Sequence, residues 1–139
     1  MKKLLLVLFA FQFSLLASAQ NDCEPFRAYI INNEYKLFLR IDLCHENIAV
    51  PGQELLGKLP GYLGKKHNSF CWIITSAEVK GKTAHLTMIN DYGSEDLTAI
   101  LTAKNDSLYE LRQVEGSTLK VPKNGKWQKL PKTLEFKRR

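Results

Sequence analysis

From Phe26 to the end of the chain, short runs of alternating apolar and polar residues succeed one another at intervals of about ten, each closed by turn-forming residues. A strand sends successive side chains to opposite faces, so an alternation of period two marks one buried and one solvated face. Repeated at this spacing, it predicts an all-β fold. The expected form is an antiparallel meander of about eight strands in a small closed or nearly closed barrel, with a β-sandwich as the alternative. No internal repeat or low-complexity stretch interrupts the pattern.

The first two runs, "FRAYIIN" and "YKLFLRIDL", flank Asn33 and Glu34. With those two residues as the loop, Leu37 faces Ile30, Leu39 faces Ala28 and Ile41 faces Phe26, which makes one apolar face. The same register sets Cys23 opposite Cys44 at a non-hydrogen-bonded position, where the backbones come close enough for a bridge. A slip of one residue would break both the apolar face and the bridge. Three cysteines follow the leader described below, Cys23, Cys44 and Cys71, so one thiol is left over. The register favours Cys23–Cys44 and leaves Cys71, inside the strand "SFCWII", as a buried structural thiol.

The segment over about 46–69 has four glycines, two prolines and no sustained alternation, and reads as one long irregular loop. After it, "FCWIITSAEV" and "TAHLTMIN" close on Gly81-Lys82 as a two-residue type II′ turn. Val79 then faces Ala84, Ala77 faces Leu86, and Thr75 faces Met88. Further turns fall at "DYGSE", at Asn105-Asp106 and at "EGS". Asn124-Gly125 is a strong hairpin signal; it pairs Lys123 with Lys126, Pro122 with Trp127, Lys120 with Lys129, and Leu119 with Leu130. One face of that hairpin carries Leu119, Val121, Gln128 and Leu130. The other carries Lys120, Pro122, Trp127 and Lys129.

The N-terminus predicts a compartment. Lys2 and Lys3 precede an apolar run from Leu4 to Leu16, and Ala17-Ser18-Ala19 is a small-residue cleavage site. The run is shorter than the roughly 20 residues a membrane span requires. Residues 1–19 therefore read as a signal peptide cleaved after Ala19, and 20–139 as one secreted or periplasmic β-barrel domain without a transmembrane segment. Losing Lys2 and Lys3 leaves 18 basic residues against 14 acids. That surplus sits at one end: residues 120–139 hold eight Lys or Arg and a single acid, Glu135.

Reaction chemistry finds little support. His45, His67 and His85 are far apart and lack metal-ligand spacing. Cys44, His45 and Glu46 are consecutive, but neighbours along a strand point to opposite faces. The adjacent acids Glu95 and Asp96 sit at a turn, with nothing to separate their titration as an acid-base pair requires. No phosphate loop, nucleophile elbow or metalloprotease motif occurs. The reading is non-enzymatic, with no catalytic residue, no metal and no cofactor.

Two stretches stand above this background. The segment leading into "FCW" gathers Tyr62, Lys65, Lys66, His67, Phe70 and Trp72, the makings of a binding mouth beside a sheet. The C-terminal hairpin gathers Lys120, Trp127 and Lys129, read either as a lysine-protected sheet edge or as a surface for an anionic partner. A short secreted chain of meandering strands resembles the lipocalin-like (calycin) barrels and the small periplasmic inhibitor barrels. Its one G-x-W triplet, Gly125-Lys126-Trp127, lies near the C-terminus instead of on the first strand, so no family residue is carried over. The net positive charge argues against the inhibitors of cationic lysozymes. The resemblance implies an exported binding protein that takes a small apolar or amphipathic ligand at the barrel mouth; the segment composition itself offers Tyr62, Phe70 and Trp72 as contacts and 51–70 as a gate. The alternative is a protein-interaction or inhibitor module that offers Tyr62, Lys120, Trp127 and Lys129 to an acidic protein or an anionic glycan, with no role for nucleic acid. A third reading is a structural envelope protein without a ligand.

Overall fold

A computed structural model describes residues 23–139; the expected signal peptide and its cleavage point lie outside the described residues. The wall of the molecule is a closed antiparallel barrel of eight strands. The first two are β1 (Arg27–Asn32) and β2 (Leu37–Asp42), followed by two short outer strands, β3 (Ile48–Ala49) and β4 (Lys58–Leu59). The wall continues with β5 (Gly61–Lys65), β6 (Asn68–Lys80), β7 (Thr83–Asn90), β8 (Asp96–Ala103) and β9 (Leu108–Gly116). A hairpin of β10 (Lys120–Lys123) and β11 (Lys126–Lys129) precedes the last wall strand, β12 (Thr133–Arg138). Wall neighbours follow chain order, and β12 closes the circle against β1 through Ile30–Arg138 and Ile31–Lys137.

The first hairpin is shifted by two residues from its expected register. Ala28 faces Ile41 and Ile30 faces Leu39, and the loop is Asn33–Lys36. Asn32 is the cause: its Oδ1 accepts the Tyr35 amide at 2.8 Å while its Nδ2 donates to the Glu135 carbonyl at 2.8 Å. Lys36 completes the turn in the left-handed region, at φ 57°. An even shift keeps the same residues inward, so Leu37, Leu39 and Ile41 still point into the core. The Cys23–Cys44 bridge forms as expected. It joins the start of a 3₁₀ turn, Glu24–Phe26, to the residues beyond β2, and that turn sets Phe26 under this end of the barrel, fully buried.

Two bulges do what simple alternation does not reveal. In β6, Ile74 faces Met88 and Ser76 faces Thr87, which leaves Thr75 as the extra residue in place of the expected Thr75–Met88 pair. The inward set therefore switches from Trp72 and Ile74 to Ala77 and Val79 along one continuous strand. The second bulge lies between β8 and β9, where Val114 has no partner and is pushed outward.

The expected irregular loop over 46–69 is corrected. Its last part is a wall strand, β5, which pairs β2 through Leu39–Leu63 and β6 through Leu63–Trp72. Its first part is a strap that lies along the outside of the barrel, where Ile48 and Val50 cover Tyr62, Cys71 and Ile73. Glycine in β5 has a packing reason: a Cβ on Gly64 would strike the ring of Phe38, its cross-strand partner.

The barrel interior is filled. Ile30, Leu39, Leu63, Trp72, Ile74, Leu86, Met88, Leu101, Tyr109, Leu111 and Phe136 are all at 0 or 1% exposure. A void of ligand size would leave accessible surface on its walls, and these side chains have none to speak of.

The disulfide closes a chain separation of 21 residues. Replacing both cysteines, C23A/C44A, is expected to cost about 3 kcal/mol and to lower the melting temperature by roughly 10 °C, measured by thermal unfolding with and without the bridge.

Candidate functional site

The antiparallel order brings four connections to one end of the barrel: those between β1 and β2, β5 and β6, β7 and β8, and β9 and β12. The last contains the β10–β11 hairpin. Its register matches the sequence expectation pair for pair, Lys120–Lys129 through Lys123–Lys126. Asn124 and Gly125, at φ 52° and 77°, give the two positive angles of a type I′ turn. The hairpin is not part of the wall, however. It forms its own two-stranded sheet and folds over this end of the barrel.

Core packing, two side-chain hydrogen-bond anchors and an ion pair hold it there, together with the Lys65 Nζ bond to the Pro122 carbonyl at 2.7 Å. Leu119, Val121 and Leu130 join the main core, as the face alternation requires. The buried Gln113 side chain clamps the base: its Oε1 accepts the Leu119 amide at 2.7 Å and its Nε2 donates to the Pro131 carbonyl at 3.0 Å. Trp72 reaches up from inside the barrel, its indole Nε1 donating to the Lys120 carbonyl at 2.9 Å. Lys120 Nζ lies 3.0 Å from Glu95 Oε1, while the other carboxylate oxygen, Oε2, is shut from solvent without a partner. With both side chains 30% exposed, that ion pair is worth at most about 1 kcal/mol.

These contacts reassign the expected site residues. Trp72 is a structural pin, fully buried. Tyr62 is also buried, beneath the strap and edge-on to Phe38. Lys120 has its charge met by Glu95, whereas Lys129 is exposed. Trp127 is 49% exposed and packs edge-on to the buried Phe70 at 5.0 Å between centroids. Lys120 Nζ lies 5.8 Å from the Trp127 ring. The structure thus brings Phe70, Trp127 and Lys120 together, while Tyr62 meets Phe70 only in the cleft beneath the strap.

A residue not singled out in the sequence joins this group. Tyr92, on the turn between β7 and β8, is 73% exposed, and its ring centroid lies 6.0 Å from that of Phe70. Exposed Leu55 and Leu56 stand on the strap. Gln53, two residues before Leu55, donates to Asp91 Oδ1 at 2.7 Å and so ties the strap to the turn that carries Tyr92. The signal in the sequence was the "DYG" turn itself, where an aromatic has no alternation to bury it.

Between the strap and the wall lies a cleft of about 360 Å³, lined by Phe38, Pro51, Gly52, Tyr62, Phe70, Cys71 and Asp91. Burial, with help from the Asp91 carboxylate, pushes the Cys71 thiol from its usual 9.0 up to about 11. Among the described residues no group of three or more His, Cys, Asp or Glu could hold a metal ion, and no helix is long and apolar enough to cross a membrane. Comparison with protein-family models, curated proteins and solved structures found no match.

Two outcomes test this arrangement. Gln113→Leu leaves the Leu119 amide and the Pro131 carbonyl unsatisfied, each at a cost of about 1–3 kcal/mol. Hydrogen exchange should then show faster exchange for the 119–130 amides than in the wild type, with the β6–β8 amides less affected. Cys71 should resist alkylation at neutral pH until the protein is unfolded. Because its folded value is raised, the unfolded chain loses that proton first, and stability falls as pH rises from about 9 towards about 11. Cys71→Ala removes that part of the alkaline decline in urea-unfolding measurements.

Proposed function

We propose that the protein is an exported, non-enzymatic binding protein of lipocalin-like architecture that recognises a protein partner through the hairpin end of its barrel. The observation that carries this reading is the aromatic group at that end. Trp127 and Tyr92 remain exposed although both touch the buried Phe70. Exposed aromatics packed on a buried ring have the composition of interface anchors, and the strap that Gln53 ties to the Tyr92 turn carries exposed leucines. Exposed Lys129 borders the group and favours an acidic partner. The disulfide supports export, since such bonds persist in oxidising compartments.

The small-ligand reading keeps one observation in its favour. With the interior filled, the cleft beneath the strap, where Tyr62 and Phe70 lie with Phe38, offers space for an amphipathic molecule. There the strap, over about 48–59, is the gate, and the barrel mouth is not.

Native mass spectrometry of the protein purified from its own cells distinguishes the two. A retained protein that is lost from a Trp127→Ala/Tyr92→Ala double variant, with melting unchanged within about 2 °C, supports the interface. Equal retention by that variant overturns it. A retained small molecule that is lost on Tyr62→Ala moves the function to the cleft.

A further inference from the structure

Lysines from three separate turns meet at the hairpin end. Lys36 comes from the β1–β2 turn, Lys65 and Lys66 from the end of β5 and the turn after it, and Lys123 from the end of β10 beside its turn. All four line one open cleft of about 420 Å³, where Glu34 is the only carboxylate among the described residues. None of them makes an ion pair among the described residues, whereas Lys80 and Lys104 pair with Glu78 and Glu110. The arrangement is fixed by backbone geometry: Lys36 and Asn124 both hold left-handed turn conformations. It is also fixed by Lys65, whose Nζ donates to the Pro122 carbonyl at 2.7 Å and so sits between two of the turns. Partial burial lowers the Lys65 pKa, and the charges of Lys123 and Lys36 lower it further, so the cations do sense one another.

Like charges gathered in one cleft repel, and the repulsion is relieved when an anion binds among them. A surface that only needed solubility would scatter its lysines among acids. We propose that this cleft binds a compact polyanion, a soluble small molecule such as a saccharide bearing two or more sulfate or phosphate groups. The neutral groups of Asn68 and Gln128 line the same cleft and supply polar contacts beyond the charges. The site is distinct from the aromatic surface, because Lys123 and Trp127 project from opposite faces of the hairpin.

Sucrose octasulfate is a suitable probe, titrated calorimetrically at about 20 mM and about 200 mM salt. Lys65 is left intact because it also holds the hairpin. Saturable binding by the wild type is expected, weakened about tenfold by added salt and about tenfold or more in a Lys36→Asn/Lys66→Gln/Lys123→Gln variant. A Lys80→Gln/Lys82→Gln/Lys104→Gln variant removes the same charge elsewhere and should stay within about threefold of wild type. Equal loss in both variants reduces the effect to net charge and overturns the proposal, as does absence of binding at millimolar probe. Binding to vesicles of anionic phospholipid without binding of the soluble probe also overturns it, in favour of a membrane surface. All these proteins retain Trp127 and Tyr92, so the result is independent of the partner interface.

Discussion

Closure of the wall by β12 against β1 is the constraint on which the rest depends. A sheet of eight strands that closes on itself has no exposed edge, and its backbone groups are paired around the whole circumference. Everything that is not wall must then lie outside the barrel or across its ends. The strap takes the outer face of β2, β5 and β6. The 3₁₀ turn takes one end, where Tyr109 Oη donates to the Pro25 carbonyl at 2.7 Å and accepts from Arg138. The β10–β11 hairpin takes the other. Lysines on that hairpin are therefore not guarding an edge of the wall, because the wall has none.

Filling the interior has a second consequence. A barrel of this size can be packed with its own side chains, and the bulges in β6 and β9 let long strands keep apolar residues inward along their whole length. Space for another molecule is then found on the surface, and the connections at the hairpin end depart from regular pairing. Left-handed residues cluster there: Lys36, His67, Asn124 and Gly125 all turn the chain sharply and leave their neighbours' side chains outside the core.

How much of this was legible in the sequence follows from the range of each signal. The disulfide, the apolar face of the first hairpin and the register of the Asn124-Gly125 hairpin were readable because each is local and of period two. The two-residue shift in the first hairpin was not, because it depends on Asn32 reaching Glu135, more than a hundred residues away. β5 was missed because its glycines mask the alternation; Gly64 is small to make room for Phe38, a partner that only the fold supplies. The hairpin was counted as wall because its alternation looks like that of any other strand pair. The burial of Tyr62 and Trp72 is not legible, because aromatic residues near a glycine-rich stretch carry no mark of whether they will be covered. The lysine cleft escaped notice because its members come from turns about thirty and sixty residues apart.

The two surfaces at the hairpin end also differ in how they are held. The aromatic group rests on Phe70, part of a thirteen-residue wall strand, while Trp127 belongs to a hairpin with few backbone bonds to the wall. A two-stranded hairpin is marginal by itself, so its order comes from Leu119, Val121 and Leu130 in the core, from Trp72 and from the Gln113 clamp. Loosening those attachments moves Trp127 and Lys123 together, because they share one short turn. Lys65 links the wall to that turn through the Pro122 carbonyl, so the lysine cleft and the hairpin share a fixed point. The aromatic surface and the cationic cleft therefore depend on the same attachments, although they lie on opposite faces of one small element.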